Sequence, residues 1–168
     1  MALHSIGLAS IKIGDIAGDG GMGASLASLG GTFEGSAIMR QDDGEETKFF
    51  HEEDDDPFDV DTKKGAVTFE WAITDFTPAK IVQVLGGTVT GEGDAAVWGA
   101  PTTIPSIEQS IEIISKRGVF FKIVRAKIEA KIDANFSKKE VALVRIKATV
   151  LTPTKAETDS LTIGKVAV

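Results

Sequence analysis

The chain has no cysteine and only two histidines, His4 and His51, among its 168 residues. The first absence excludes disulfides, thiolate zinc sites and a cysteine nucleophile together. The second leaves little imidazole for general-base or metal chemistry. Long hydrophobic runs are missing too: stretches such as Val119-Phe120-Phe121 fall far short of the roughly 18 to 20 apolar residues that cross a bilayer. The start, Met1-Ala2-Leu3-His4-Ser5-Ile6, carries no basic n-region, no long apolar h-region and no small-residue cleavage pattern. The expectation is a protein that folds in the cytosol where it is made. Basic charge is the minority, with 18 Lys+Arg against 25 Asp+Glu and a net charge of −7. That balance argues against ordinary DNA binding, whose affinity comes mainly from cations neutralising phosphates.

What is present fits one globular domain. With 42% hydrophobic and 26% charged residues, the chain has an average soluble composition, and its length suits a single core. Charge is polarised along it. Residues 42–61 hold eleven acids against one lysine, Lys48, whereas residues 111–150 hold ten basic residues against four acids. The expected organisation is one domain over residues 1–168, with a glycine-rich mobile loop at 18–31, an acidic loop at 42–61 and a C-terminal tail at 154–168.

The dominant periodicity is two. Val67, Phe69, Trp71 and Ile73 alternate with Thr68, Glu70, Ala72 and Thr74, which gives a strand with one buried and one wetter face. Ile107, Ile111 and Ile113 alternate likewise up to the turn signal Lys116-Arg117-Gly118. Beyond it Phe121 and Ile123 share one face, but Ala126, Ile128, Ala130, Ile132 and Ala134 take the opposite parity. A one-residue slip turns every side chain over, so a long strand that keeps its core needs a bulge or bend at Val124-Arg125. Val144, Ile146, Ala148 and Val150 mark the last clear strand. Weaker strand patterns cover residues 6–13, 31–40, 45–51 and 88–97. One helix is expected over about 77–85: Thr77 as cap, Pro78 in the first position, Ile81, Val82 and Leu85 at helical spacing, and Gly86-Gly87 as the stop. The fold class is therefore mainly β, an antiparallel β-sandwich or rolled β-barrel with one short flanking helix and long loops.

Catalytic and cofactor patterns do not hold up. Gly18, Gly20 and Gly23 spell G-x-G-x-x-G, yet that motif needs a helix opening at the glycines and a parallel strand after it. Here Ala24 to Leu29 runs into Gly30-Gly31 and antiparallel patterns. The acids Glu52, Glu53, Asp54, Asp55 and Asp56 offer oxygen to a hard cation, but their spacing is not that of an EF-hand, and five consecutive acids cannot all face one ion. The open readings of this run are a protein-binding loop, a solvated loop and a metal site, in that order. No histidine or cysteine partners a serine in a readable triad. The expectation is no enzyme and no cofactor.

Several pieces, taken in order, carry a likeness. Val97-Trp98-Gly99-Ala100-Pro101, Pro105-Ser106-Ile107-Glu108, the strand Val119 to Ile132, and Ser137-Lys138-Lys139-Glu140 leading to a strand that closes on Pro153 resemble tail tube proteins of long-tailed bacteriophages. With the strand and helix at Ala66 to Gly86, the resemblance covers roughly the last two-thirds of the chain. It rests on element order and turn chemistry, since no piece is a strict signature. It implies a β-sandwich or rolled barrel with a helix, assembled as hexameric rings that stack into a tube. Double-stranded DNA passes through such a tube without specific binding. It also implies tape measure and tail terminator proteins as partners, and a virion tail assembled in the bacterial host cytoplasm. Tube proteins of type VI secretion and of contractile tails are similar, and a β-sandwich ligand-binding module or adhesin is the alternative of a different class. On the tube reading, the acidic loop with Phe58 as its apolar anchor docks on a neighbour's basic surface, supplied by Lys116, Arg117, Lys122 or Lys138 and Lys139. The loop is expected to be disordered in the free subunit, having too few apolar residues to pack alone.

Overall fold

The computed structural model describes residues 2–167; the Val168 end of the expected tail lies outside them. All strand pairing is antiparallel. Strand β1 (Leu8–Gly14) is followed by β2 (Ile38–Gln41), β3 (Glu45–Phe50), β4 (Pro57–Lys63) and β5 (Val67–Ile73). Helix α1 (Pro78–Leu85) then leads into β6 (Thr88–Thr90), β7 (Val97–Gly99), β8 (Ile107–Ser115), β9 (Val119–Asp133), β10 (Leu143–Val150) and β11 (Leu161–Lys165). The main sheet runs β1-β8-β9-β10-β5-β2, with β11 added to β9.

β9 organises the fold because its core face changes parity midway. Val119 and Ile123 are buried before the change, and Val124, Ala126 and Ile128 after it. Gln109 pairs with Ala126 while Ile111 pairs with Ile123. Two steps on β8 thus face three on β9, which makes Val124-Arg125 a bulge opposite Ser110, at the position the alternation requires. Ser110 is fully buried there. Its hydroxyl donates to the Val124 carbonyl at 2.6 Å and accepts the Gly23 N–H at 2.9 Å, satisfying groups that the interrupted ladder would leave bare. Arg125 binds Glu108 through two bonds of 2.7 and 2.9 Å and donates to the Thr152 carbonyl at 3.1 Å. This pairing holds the Glu108 carboxyl below its ordinary pKa, and the Arg125 guanidinium above its own.

Either side of the bulge the sheet serves two layers around one core. Ile11 and Ile13 of β1 meet Phe69, Trp71 and Ile73 of β5 in that core, together with Ile111, Ile123, Ile128 and Ile146. The glycine-rich segment is bonded to both layers through its main chain and is not a free loop. Ile13 and Ala27 exchange both backbone hydrogen bonds at 2.9 Å, and the Phe33 N–H reaches the Ala72 carbonyl at 2.8 Å. The segment therefore joins the β1 edge to β5 and rolls the sheet towards closure, with Leu29 buried beneath it.

Four other expectations are corrected. Residues 31–40 form strand only from Ile38, preceded by an isolated bridge from Thr32 to Ile73. Residues 88–97 are not one strand but a hairpin of β6 and β7, because Gly91 and Gly93 take φ of 82° and 58° between them. The tail supplies β11, paired with Val119 to Ile123. In α1 the buried pair is Ile81 and Val84, while Val82 and Leu85 are half-buried. Thr77 occupies the N-cap without a side-chain cap bond; its hydroxyl and N–H both donate to the Asp75 carboxylate, at 2.6 and 2.9 Å. Lys80 binds the other Asp75 oxygen at 2.5 Å. The Lys80 bond first, then those from Thr77, hold Asp75 down to a pKa of about 2. Trp98 donates its indole N–H to the Gly86 carbonyl at 2.7 Å, tying the β6–β7 hairpin to the helix end.

Candidate functional site: an exposed acidic β-arm

The acidic segment is not an unstructured loop. β3 and β4 pair over Glu45↔Lys63 to Phe49↔Asp59, forming a two-stranded arm separate from the main sheet. Period-two pairing satisfies its backbone, so ladder hydrogen bonds order it despite the scarcity of apolar residues. The arm grows from the β2–β5 pair, whose last rung is Gln41↔Val67, and the Asp42 N–H donates to the Ala66 carbonyl at 2.9 Å beyond it. Two glycines allow the strands to cross tightly at this root. A Cβ at Gly65 would lie 1.8 Å from the Asp42 carbonyl oxygen, and one at Gly44 2.6 Å from that of Lys63. Every residue of β3 and β4 is exposed.

Glu52 to Asp56 form the turn between these strands, so five carboxylates crown the tip. Phe58 stands beside them, 59% exposed, its ring 4.3 Å from His51 and 6.4 Å from Phe49 between centroids. Phe49, Phe50 and Val60 are exposed with it. Sequence reasoning missed these three; the signal was the Phe49-Phe50 doublet, which breaks alternation and so shows an apolar ring to solvent whichever face is buried. An isolated two-stranded hairpin is at best marginally stable in water, and a cluster of exposed large apolar groups on a projecting element marks an interaction surface. Full burial of these phenylalanines would add about 1 to 2 kcal/mol apiece. The one ion pair within the arm, Lys48 with Glu46 at 3.4 Å, is half-exposed on both sides and contributes little.

The five basic residues expected to receive the arm are not one surface. Lys116 and Arg117 form the β8–β9 turn, and the Lys116 stem lies over Gly7. Lys122 is engaged: its amine is 3.4 Å from Glu112 and 4.9 Å from the Phe120 ring centroid. Lys138 and Lys139 lie in the β9–β10 turn. The two turns sit at opposite ends of the fifteen-residue β9, a strand whose contour is roughly 45 Å at about 3.3 Å per residue and which is interrupted midway by its bulge.

Two further surfaces are open. β1 and β2 are the end strands of the sheet, and a cleft of about 840 Å³ lies between β1 and the chain leading into β2, floored by Leu8, Met39, Phe69, Ile113 and Phe121. The outer face of β9, β10 and β5 interleaves both signs. Lys127 lies 3.8 Å from Glu129, and Arg145 lies 2.5 Å from Asp133. Among the described residues, no three His, Asp or Glu side chains converge on a point that would hold a metal ion. No protein-family model matches the chain, and no curated protein matches it either.

Proposed function

We propose that the chain is a structural subunit that assembles with copies of itself into stacked rings, a tube of the kind formed by the phage tail proteins it resembles. The observation that carries this reading is the arm: an ordered hairpin with every strand residue exposed, an aromatic cluster near its tip and five acids at its turn. Such an arm stabilises nothing in its own subunit and has a use only when a partner covers it. The free outer edge of β2, and the stretch of β1 that the Ile13–Ala27 bridge leaves uncovered, add support, because free edges invite pairing and a ring closes them between neighbours. The arm carries Glu52 to Asp56 at its turn, while Lys138 and Lys139 stand in the β9–β10 turn, two unlike surfaces of the kind that head-to-tail stacking through a heterologous interface requires.

On this reading the protein is not an enzyme and takes no cofactor. Its partners are its own copies, with tape measure and terminator proteins at the ends of a virion tail assembled in the host cytoplasm. DNA would pass through the lumen without being held, and a wall of interleaved charges suits that passage, since each exposed lysine beside a carboxylate attracts phosphate less. The test is sedimentation of the intact chain at rising concentration beside a variant lacking the arm. Association that depends on the arm supports the reading. Monomers throughout contradict it.

A further inference from the structure

We infer that the β9–β10 turn is the socket for the arm tip of a second copy, and that the Lys116-Arg117 turn is not. This inference rests on the self-assembly reading above and adds which end of the neighbour is touched. The registers decide it. Leu143 pairs with Asp133 and Val144 with Ile73, so the β9–β10 turn and the C-terminal end of β5 lie at one end of the sheet. Val67, at the other end of β5, pairs with Gln41, and the arm leaves there. Thr149 and Val150 of β10 lie at the level of Lys127 and Ala126 at that same end. Beyond the bulge β9 runs on, away from its β10 turn, to Val119 and the Lys116-Arg117 turn. Lys116 lines the same cleft as Met39 and Phe69, a pair two rungs from Gln41 and Val67, so the arm root and the Lys116-Arg117 turn share one side of the molecule, and Lys138-Lys139 occupies the other. Two copies related head to tail bring the arm of one against the Lys138-Lys139 end of the next.

The chemistry of that end is complementary. Phe136 is 97% exposed in the turn, with Ile132 and Val141 exposed beside it. Lys138 and Lys139 have no carboxylate within ion-pair distance among the described residues. Glu140, the nearby acid, accepts from the Asn135 amide and keeps its charge, which leaves the pair of lysines in excess over it. Two unpartnered ammonium groups in the same turn as a bare phenyl ring thus match the unpartnered carboxylates in the turn beside Phe58, with opposite charges that steer and apolar rings that hold.

The absence of cysteine gives a clean test. Asp55→Cys and Ser137→Cys are made as separate full-length variants, mixed under a mild oxidant at a concentration where the wild type associates, and examined for disulfide-linked dimers. Asp55→Cys mixed with Arg117→Cys is the comparison. All three positions are exposed, so the variants should fold, and thermal unfolding checks that they do. The expected result is at least ten-fold more linked dimer with Ser137→Cys than with Arg117→Cys. Equal or greater linkage through Arg117→Cys, or no linkage in either mixture while assemblies form, overturns the socket alone. A wild type that never associates overturns it together with the self-assembly reading.

Discussion

Gly65→Ala isolates the arm from the body more sharply than any change to the arm itself. The added methyl would sit 1.8 Å from the Asp42 carbonyl oxygen and 2.8 Å from that of Asp43. Ordinary contact begins at 3.4 Å, so the two root strands must separate by roughly 1.5 Å across their normal spacing of about 4.8 Å. That opening tilts the arm by about 15 to 20° and displaces a tip some 20 Å away by about 6 Å, using the ordinary strand rise. One backbone bond, from Asp42 to Ala66, is at risk, a loss of about 0.5 to 1.5 kcal/mol. The variant should therefore melt only about 2 to 5 °C below wild type. On the self-assembly reading, a tip so displaced misses its seat, and the concentration needed for association should rise at least ten-fold, read by sedimentation velocity. Unchanged association would refute the claim that the root fixes the arm. A melting loss beyond about 10 °C would refute the claim that the arm is independent of the core.

The bulge and the helix start supply two further tests. Ser110→Ala strands the buried Gly23 N–H and Val124 carbonyl, at a cost of about 2 to 4 kcal/mol, and denaturant midpoints should show it; a loss under about 0.5 kcal/mol would contradict the bridging role. For Asp75 the folded pKa, about 2, lies below the ordinary 3.8, so its stabilisation is complete above roughly pH 5 and is lost as pH falls through the folded value. Solvent screening of this partly exposed pair leaves about 1 kcal/mol. Asp75→Asn should thus melt a few degrees below wild type at pH 7 with the gap closing by pH 2, and a gap constant over that range would rule the linkage out.

Much of the body was legible because its strands are half-buried. Alternation marks β5, β8, β9 and β10, and the parity change in β9 marks its bulge. What escaped notice is held by backbone hydrogen bonds or by unusual neighbours instead of apolar side chains. The segment around Ala27 and Phe33 bonds through its main chain to β1 and β5, so its glycines look like disorder in composition alone. β11 is short and includes Gly164, where a Cβ would fall 2.6 Å from the Phe120 ring; the missing side chain weakens the strand pattern for the same reason the strand fits. The strand pattern at 45–51 marked β3, but the acids around it hid its partner β4 and so the hairpin. Counting charge along the chain grouped Arg117 with Lys139, but only register shows that β9 holds them apart.

If the arm serves assembly and not the fold, removing it should separate the two. Replacing residues 42–66 by Asn-Gly would join Gln41 to Val67, already paired, through a two-residue turn suited to a hairpin. Sedimentation velocity over a concentration series, with negative-stain images at the top of the range, compares this variant with the intact chain. The intact chain should grow from monomer into rings and tubes, while the variant should melt within a few degrees of it and form no tubes. An intact chain that stays monomeric at every concentration, or an armless variant that builds the same tubes, would contradict the assembly role of the arm.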